Sequence, residues 1–202
     1  DGFCFEECEK LEKFIIIPCE EKRTEFFEDK FLIFKSDPTS ENYDTLVWSR
    51  PTLDTVTIPP FIKRIGDNAF YRRKLITQIT IPSSVKSIGH FAFYGCPSLE
   101  QFTILSAITC DGTRVFDECK SLKQITIPSS LSSFSCLGIN GCPILEKITI
   151  IPCDEKIITN YEDKFVIMKS DPTSENYDTL VWSRPTLDIV DIPPFIKAIG
   201  NR

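Results

Sequence analysis

The sequence repeats itself at two scales, and this restricts the fold more than any other feature. The short unit is 23 residues long, with a cysteine, a leucine three residues later and then an apolar-x-Ile pair. Its clearest copies run from Cys96 to Ile104, from Cys119 to Ile127 and from Cys142 to Ile150. At an offset of 134 residues, 18–66 matches 152–200 at 38 of 49 positions. A fixed period of 20–50 residues predicts a solenoid, whose units bury their apolar faces on one another.

Each short unit carries one strand pattern. Apolar and polar residues alternate in its second half, which is typical of a β-strand, and a proline that cannot donate to a ladder soon follows. The predicted strands are 11–16, 53–58, 76–81, 99–104, 122–127, 145–150 and 187–192. Short turns or helices are expected on the other side of each coil, with Asp67 as a candidate cap.

Two columns of equivalent residues are expected to fill the core. The phenylalanine column, whose rings should stack from coil to coil, contains Phe5, Phe70, Phe93 and Phe116. The cysteine column contains Cys8, Cys96, Cys119 and Cys142. Buried free thiols are favoured there because a free cysteine behaves as a small apolar residue. A disulfide between Cys110 and Cys136, on adjacent coils, stays open as an alternative. Arg73 and Ile139 depart from the two columns.

The strand spacing breaks twice, because Ile16 to Ile58 and Ile150 to Ile192 are each 42 residues, one period plus 19. The extra residues contain two β-rich runs around a tip of Pro, Asp, Ser and Asn, which are turn residues. Each insert is therefore predicted to be a β-hairpin that projects from the solenoid, at about 28–50 and 162–184.

Several function classes are disfavoured. A net charge of −6 and a pI near 5.0 argue against a nucleic-acid binder, and no apolar run is long enough for a membrane span. The only histidine, His90, lies two coils from Cys136 in the same column, too far for a catalytic dyad. The acidic tip residues Asp37, Glu41 and Asp44 lack the glycine and spacing of a calcium loop. No enzyme activity, metal or cofactor is predicted, and the ends of the chain suggest a fragment of a longer protein.

A polar face is the best candidate for binding. Residues that point outward from the strands are predicted to line one concave sheet, where stacked Thr and Gln also favour the sheet itself. The candidate binding residues on it are Gln78, Thr80, Gln101, Thr103, Gln124, Thr126, Lys147 and Thr149. The inserts add Tyr43, Trp48, Tyr177 and Trp182, because Trp and Tyr are enriched in binding hot spots. Packing of Trp48 across its own hairpin is the competing interpretation.

The repeat also resembles a known family. The pattern Val85-Lys86-Ser87-Ile88-Gly89-x-x-Ala92-Phe93-x-x-Cys96-x-x-Leu99-x-x-Phe102-x-Ile104 resembles the Treponema-type leucine-rich repeat of BspA-like surface proteins. The resemblance covers essentially the whole chain, including the inserts. It implies a surface or secreted protein of a bacterium or parasitic protist that acts in adhesion to host cells, matrix proteins or other microbes. It carries over no catalytic residue.

The expected fold is a single α/β leucine-rich-repeat solenoid over 1–202, mostly β. It is a right-handed superhelix of about seven 23-residue coils with two β-hairpin inserts. The expected function is a non-enzymatic cell-surface or secreted module that binds a protein or glycan, such as a host matrix component. The alternative is an intracellular scaffolding repeat without a host ligand. An open solenoid end exposes apolar surface, so the chain could also associate with itself.

Overall fold

The computed structural model describes residues 23–105, 107–110, 112–131, 133–154, 156–162, 164–184 and 191–200. These residues form fifteen strands and two short 3-10 helices. The strands are β1 (Thr24–Phe27), β2 (Phe31–Phe34), β3 (Thr45–Ser49), β4 (Val56–Thr57), β5 (Arg64–Ile65), β6 (Gln78–Ile81), β7 (Ser87–Ile88), β8 (Gln101–Ile104), β9 (Thr109–Cys110), β10 (Gln124–Pro128), β11 (Lys147–Ile151), β12 (Ile158–Tyr161), β13 (Phe165–Met168), β14 (Thr179–Ser183) and β15 (Ala198–Ile199). The predicted, mostly β solenoid is confirmed.

The repeat strands form a five-stranded parallel sheet in the order β11-β10-β8-β6-β4, which we call the ladder sheet. Its register follows the repeat: Gln101 pairs with Gln78 on one side and with Gln124 on the other. The strands begin later than predicted. The Leu122 N–H donates to the Cys119 carbonyl at 3.1 Å, so this leucine closes the turn that precedes the strand. Only the alternating half of the unit is extended.

Turns, one of the two alternatives that the sequence left open, connect most coils. Asn68, Phe91 and Arg114 occupy one repeat position, and each has a φ between 53° and 58°. Arg72, Gly95 and Glu118 occupy a second, with φ between 51° and 65°. Two left-handed residues four positions apart cannot continue a right-handed helix. The short 3-10 helices Ser135–Leu137 and Ile139–Gly141 are the only helices in the described part of the chain.

The core contains the two predicted columns beside many buried Ile, Leu and Val side chains. The rings of Phe70 and Phe93 stack with centroids 4.9 Å apart, and those of Phe93 and Phe116 stack at 5.7 Å. Cys96, Cys119 and Cys142 are buried free thiols, as expected. Their S–H groups donate, at 3.1–3.2 Å, to the carbonyls of Phe70, Phe93 and Phe116 respectively. The thiol column therefore also satisfies one backbone carbonyl per coil.

The first insert differs from the projecting hairpin that the sequence predicts. It has three antiparallel strands, β1, β2 and β3, because Thr24–Phe27 pairs with Phe31–Phe34. Strand β3 then pairs in parallel with β5, and β5 with β7 and β7 with β9, so the insert extends a second sheet of the solenoid. Phe31, Ile33 and Leu46 belong to the main hydrophobic core. Only the tip, 35–44, extends beyond the sheet.

The second insert repeats this arrangement with strands β12 to β15. Its Phe165, Ile167 and Leu180 form a small cluster separate from the main core. Some predictions lie outside the described residues: the strand at 11–16, most of the strand at 187–192, Phe5, Cys8 and the side chain of Cys110. Cys136 is disulfide-bonded. Its pairing with Cys110 stays a prediction.

Candidate binding surface

The ladder sheet brings the predicted polar residues together in two straight columns. One column is Gln78, Gln101, Gln124 and Lys147, and the other is Thr57, Thr80, Thr103, Thr126 and Thr149, all paired directly with their equivalents in the next coil. We call these nine residues the ladder face. The inward residues between them, such as Ile79, Phe102 and Ile125, are buried and fix the strands from behind. A packed core thus holds a flat polar surface in place.

The ladder face is open to solvent. Gln78, Thr80, Gln101 and Lys147 are exposed, and Thr103, Gln124, Thr126 and Thr149 are half-buried. Its border carries the ion pair between Lys123 Nζ and Glu100 Oε2, at 3.2 Å. Because the face itself combines neutral amides and hydroxyls with a single cation, it suits hydrogen bonding more than electrostatic attraction.

The tips of the two inserts have the same internal structure. The Asp37 carboxylate accepts hydrogen bonds from the N–H and the hydroxyl of Thr39, and Asp171 does the same with Thr173. These bonds hold the pKa of both carboxyl groups below the usual value. Asp178 likewise accepts from the N–H and hydroxyl of Ser170. The tip residues therefore form local turns, and in the described residues no group of His, Cys, Asp and Glu is placed to hold a metal ion.

The insert aromatics do not form the exposed set that the sequence predicts. Trp48 is 4% exposed, between the edge of Phe26 at 6.4 Å and the guanidinium of Arg73 at 5.6 Å. Its assignment as a contact residue is wrong, because the insert lies against the solenoid. Trp182, Tyr43 and Tyr177 are half-buried. Lys35 lies 5.1 Å from the Tyr43 ring centroid, and the Tyr177 hydroxyl donates to the Lys156 carbonyl at 3.3 Å.

The ring and the backbone of His90 connect neighbouring coils. The ring Nδ1 of His90 accepts a hydrogen bond from the backbone N–H of Thr113 at 3.2 Å. The backbone N–H of His90 donates to the Asp67 carboxylate at 3.0 Å. Asp67 therefore links two coils, where the sequence suggests a cap for its own turn. Cys136 is in a disulfide and the column cysteines are buried.

Arg73 is a residue whose role the sequence analysis missed. It replaces the column cysteine and is 6% exposed. Its Nε donates to Ser49 Oγ at 3.0 Å and one terminal nitrogen donates to the Tyr71 carbonyl at 3.1 Å, while the Trp48 ring lies against it. Burial lowers its pKa to about 10. The sequence signal for this role was the arginine itself, which stands where other coils have a cysteine. It marks the coil that packs against the first insert.

The comparisons with known proteins agree with this geometry. Residues 46–162 match the BspA type leucine-rich repeat region, in six copies. The chain belongs to the BspA-type leucine-rich repeat family. A leucine rich cell surface protein from Faecalibacterium prausnitzii A2-165 is similar over 67% of this chain and 41% of its own, with 25% identity and a TM-score of 0.50. The chain thus spans about two fifths of that relative's length.

A second solved structure supports the fold alone. It is a leucine-rich repeat protein from Bacteroides capillosus ATCC 29799, 24% identical, with a TM-score of 0.55 over 64% of this chain and 99% of its own. No curated protein matches the sequence. Within the described residues, no helix has both the length and the apolar character that a bilayer crossing requires.

Proposed function

We propose that this BspA-type repeat chain is a non-enzymatic adhesion module, exposed at the cell surface or secreted, that binds a protein ligand on the ladder face. The observation that carries the proposal is the continuous register of exposed and half-buried Gln and Thr side chains across adjacent parallel strands. Solenoids commonly bind partners on the rigid surface that their stacked repeats form. Because the backbone behind the face is fixed by the core, little ordering entropy is lost when a ligand binds.

Two further observations support an extracellular setting. Cys136 is disulfide-bonded, and structural disulfides persist in oxidising compartments. The similar protein from Faecalibacterium prausnitzii is described as a cell surface protein. Host extracellular-matrix proteins are the ligand class that we propose for this chain, with the insert tips as flanking contacts.

An intracellular scaffold is the second candidate, and the free thiols favour it. Cys96, Cys119, Cys142 and Cys153 are all unpaired. Three of them are buried, however, and a buried thiol is protected from oxidation in any compartment. The free thiols are therefore weaker evidence for an intracellular setting than the disulfide of Cys136 is for an extracellular one.

A solid-phase binding screen tests the proposal. The folded chain is applied to a panel of extracellular-matrix proteins, together with the ladder variant Gln101→Ala/Gln124→Ala and the tip variant Tyr43→Ala/Tyr177→Ala. The control variant, Lys86→Ala/Thr109→Ala, changes two exposed side chains, one just before β7 and one in β9, and leaves the ladder face intact. We expect saturable binding that the ladder variant weakens by about tenfold or more, since interface hot spots are each worth about 2 kcal/mol.

The outcomes separate the candidate surfaces. Loss in the tip variant alone would move the ligand to the inserts and overturn the assignment to the ladder face. Equal loss in the control variant would indicate nonspecific adsorption. If the folded chain binds no matrix protein, the scaffold alternative is favoured.

A further inference from the structure

A small notch lies on the turns that precede the ladder strands, where three successive coils meet. We call it the turn notch. Arg72 and Lys74 line it from one coil, and Glu118 and Lys120 line it two coils further along. The coil between them contributes the ring of Tyr94 as a wall, together with Gly95 and Pro97. The notch has a volume of about 260 Å³.

The repeat explains why there is space at this point. Arg72, Gly95 and Glu118 occupy one left-handed position of three coils, so their side chains should form a continuous row. The middle member is a glycine, which leaves a gap in the row. A Cβ atom on Gly95 would lie 3.1 Å from Cγ of Arg72, so the arginine stem passes directly over the glycine. The notch is therefore a consequence of glycine at one position between two long side chains.

The notch has the opposite charge sign from the protein. It is lined by three cations, Arg72, Lys74 and Lys120, and one carboxylate, Glu118, whereas the whole chain carries a net charge of −6. Lys120 Nζ lies 3.3 Å from Glu118 Oε2, and both side chains are exposed. An exposed ion pair of this kind contributes only about 0–1 kcal/mol, so an incoming anion can take the place of Glu118 at little cost.

Stacked aromatic rings hold the arginine in position. The Cζ atom of Arg72 lies 5.2 Å from the centroid of the Tyr71 ring. The Tyr71 ring in turn stacks on Tyr94, with centroids 5.3 Å apart and an interplanar angle of 8°. Tyr71 is buried, so the stack is anchored in the solenoid. A guanidinium that is already oriented loses less entropy when it binds a planar anionic group.

We propose that the turn notch binds an acidic saccharide unit. Arg72, Lys74 and Lys120 would take its carboxylate or sulfate group, because a guanidinium pairs with such oxyanions through two parallel hydrogen bonds. Tyr94 would pack against the sugar ring, whose C–H face is apolar like the face of an aromatic ring. The notch and the ladder face share no residue, so this inference does not depend on the proposed protein ligand.

Calorimetric titration with four probes tests the assignment. They are a sulfated heparin-derived hexasaccharide, a carboxylated oligogalacturonate of the same length, neutral maltohexaose and inorganic sulfate. We expect one or both acidic saccharides to bind with an affinity that falls as salt is added. Maltohexaose should give no heat of binding, and inorganic sulfate should bind at least about tenfold more weakly than the acidic saccharide. The stronger of the two acidic probes identifies the acid group.

The repeat supplies matched variants that the fold should accept. Arg72 and Glu118 occupy the same left-handed repeat position on different coils, so this position accepts both an arginine and a glutamate. Arg72→Glu and Glu118→Arg therefore each have a precedent in this chain. We expect Arg72→Glu to weaken saccharide binding by about tenfold or more and Glu118→Arg to strengthen it several-fold. Tyr94→Leu should weaken binding of the saccharide but not of inorganic sulfate. Arg114→Ala, which removes an exposed cation of the turns outside the notch, should change nothing.

Four results would overturn the inference. They are equal binding of maltohexaose, equal weakening by Arg114→Ala, binding of a polyglutamate peptide in place of both acidic saccharides, and no binding by a chain whose fold is verified by circular dichroism. In each case the ladder-face screen is run with the same notch variants. If Arg72→Glu leaves matrix-protein binding unchanged, ligand binding at the ladder face does not depend on the turn notch.

Discussion

At the scale of single residues, stability comes from columns in which one side chain type repeats. Phe93 stacks on Phe70 and Phe116 and also meets the edge of Phe102 at 5.0 Å. Each cysteine of the neighbouring column donates its S–H to a carbonyl of the preceding coil. The same residue type is used in each coil because each side chain packs on its own equivalent.

Phe93→Ala should lower the free energy of unfolding by about 3–5 kcal/mol, because it removes a buried ring and leaves a cavity between two others. Urea denaturation measures the change. Leu105→Ala, at a side chain that is 51% exposed, is the control and should change the free energy by no more than about 0.5 kcal/mol. If the urea midpoint of Phe93→Ala equals that of the unsubstituted chain within experimental error, Phe93 does not pack in the stacked column.

The thiols of the native chain should differ in their reaction with iodoacetamide. A hydrogen bond with Cys96, together with burial, raises the pKa of the Cys119 thiol, and burial raises that of Cys142 to about 12. Only the thiolate reacts, so at pH 8 both should be modified only after denaturation. Among the four free cysteines that the structure describes, Cys153, which is half-buried, should be modified first. Mass spectrometry of the digested protein gives the order, and Cys136 should appear only after reduction.

At the scale of the coil, the turns decide how closely neighbouring coils approach. Gly66, Gly89 and Gly112 occupy equivalent positions and stack. A Cβ on Gly112 would overlap the backbone carbonyl of Gly89, whereas on Gly66 it would lie 3.0 Å from the Leu46 carbonyl oxygen. The approach to the preceding backbone is therefore closer at Gly112, which follows a regular coil, than at Gly66, which follows the first insert.

Gly112→Ala should therefore destabilise the chain by about 1–3 kcal/mol, because the methyl group forces two coils apart. Gly66→Ala should cost less, within about 1 kcal/mol, because its methyl group would approach the nearest backbone atom only to 3.0 Å. Thermal unfolding of the two variants side by side measures the difference. If both variants unfold at the same temperature, the coils are not as closely packed as the structure has them.

At the scale of the whole molecule, two nearly identical inserts have different surroundings. The buried residues of the first insert join the main core, and Arg73 fastens its Trp48 and Ser49 to the next coil. In the second insert, Ile158 and Val166 also belong to the main core. Its Phe165, Ile167 and Leu180 form a separate small cluster. Stability should thus differ between two segments whose tips have the same sequence.

Hydrogen exchange should show this difference. Amides of β2 and β3 should exchange at least about tenfold more slowly than those of β13 and β14, because Phe31, Ile33 and Leu46 of these strands all belong to the main core, whereas only Val166 of β13 and β14 does. Peptides that include Phe31–Phe34 or Phe165–Met168 tell the copies apart, since these runs differ in sequence. Equal protection in the two inserts would show that their different packing has no energetic consequence.

The sequence by itself determined the solenoid, its period, the ladder register and the two core columns. These features follow from local periodicity, because each coil packs on a copy of itself and a column in the sequence becomes a row in space. Only the tertiary structure decided the start of each strand, the choice of turns over short helices, the third strand of the inserts and the burial of Trp48. Those depend on contacts between unlike elements: a leucine that closes a turn, an insert that joins a sheet, and an arginine in place of a cysteine. The turn notch belongs to the same class, since it arises where Gly95 interrupts a row of long side chains from three coils.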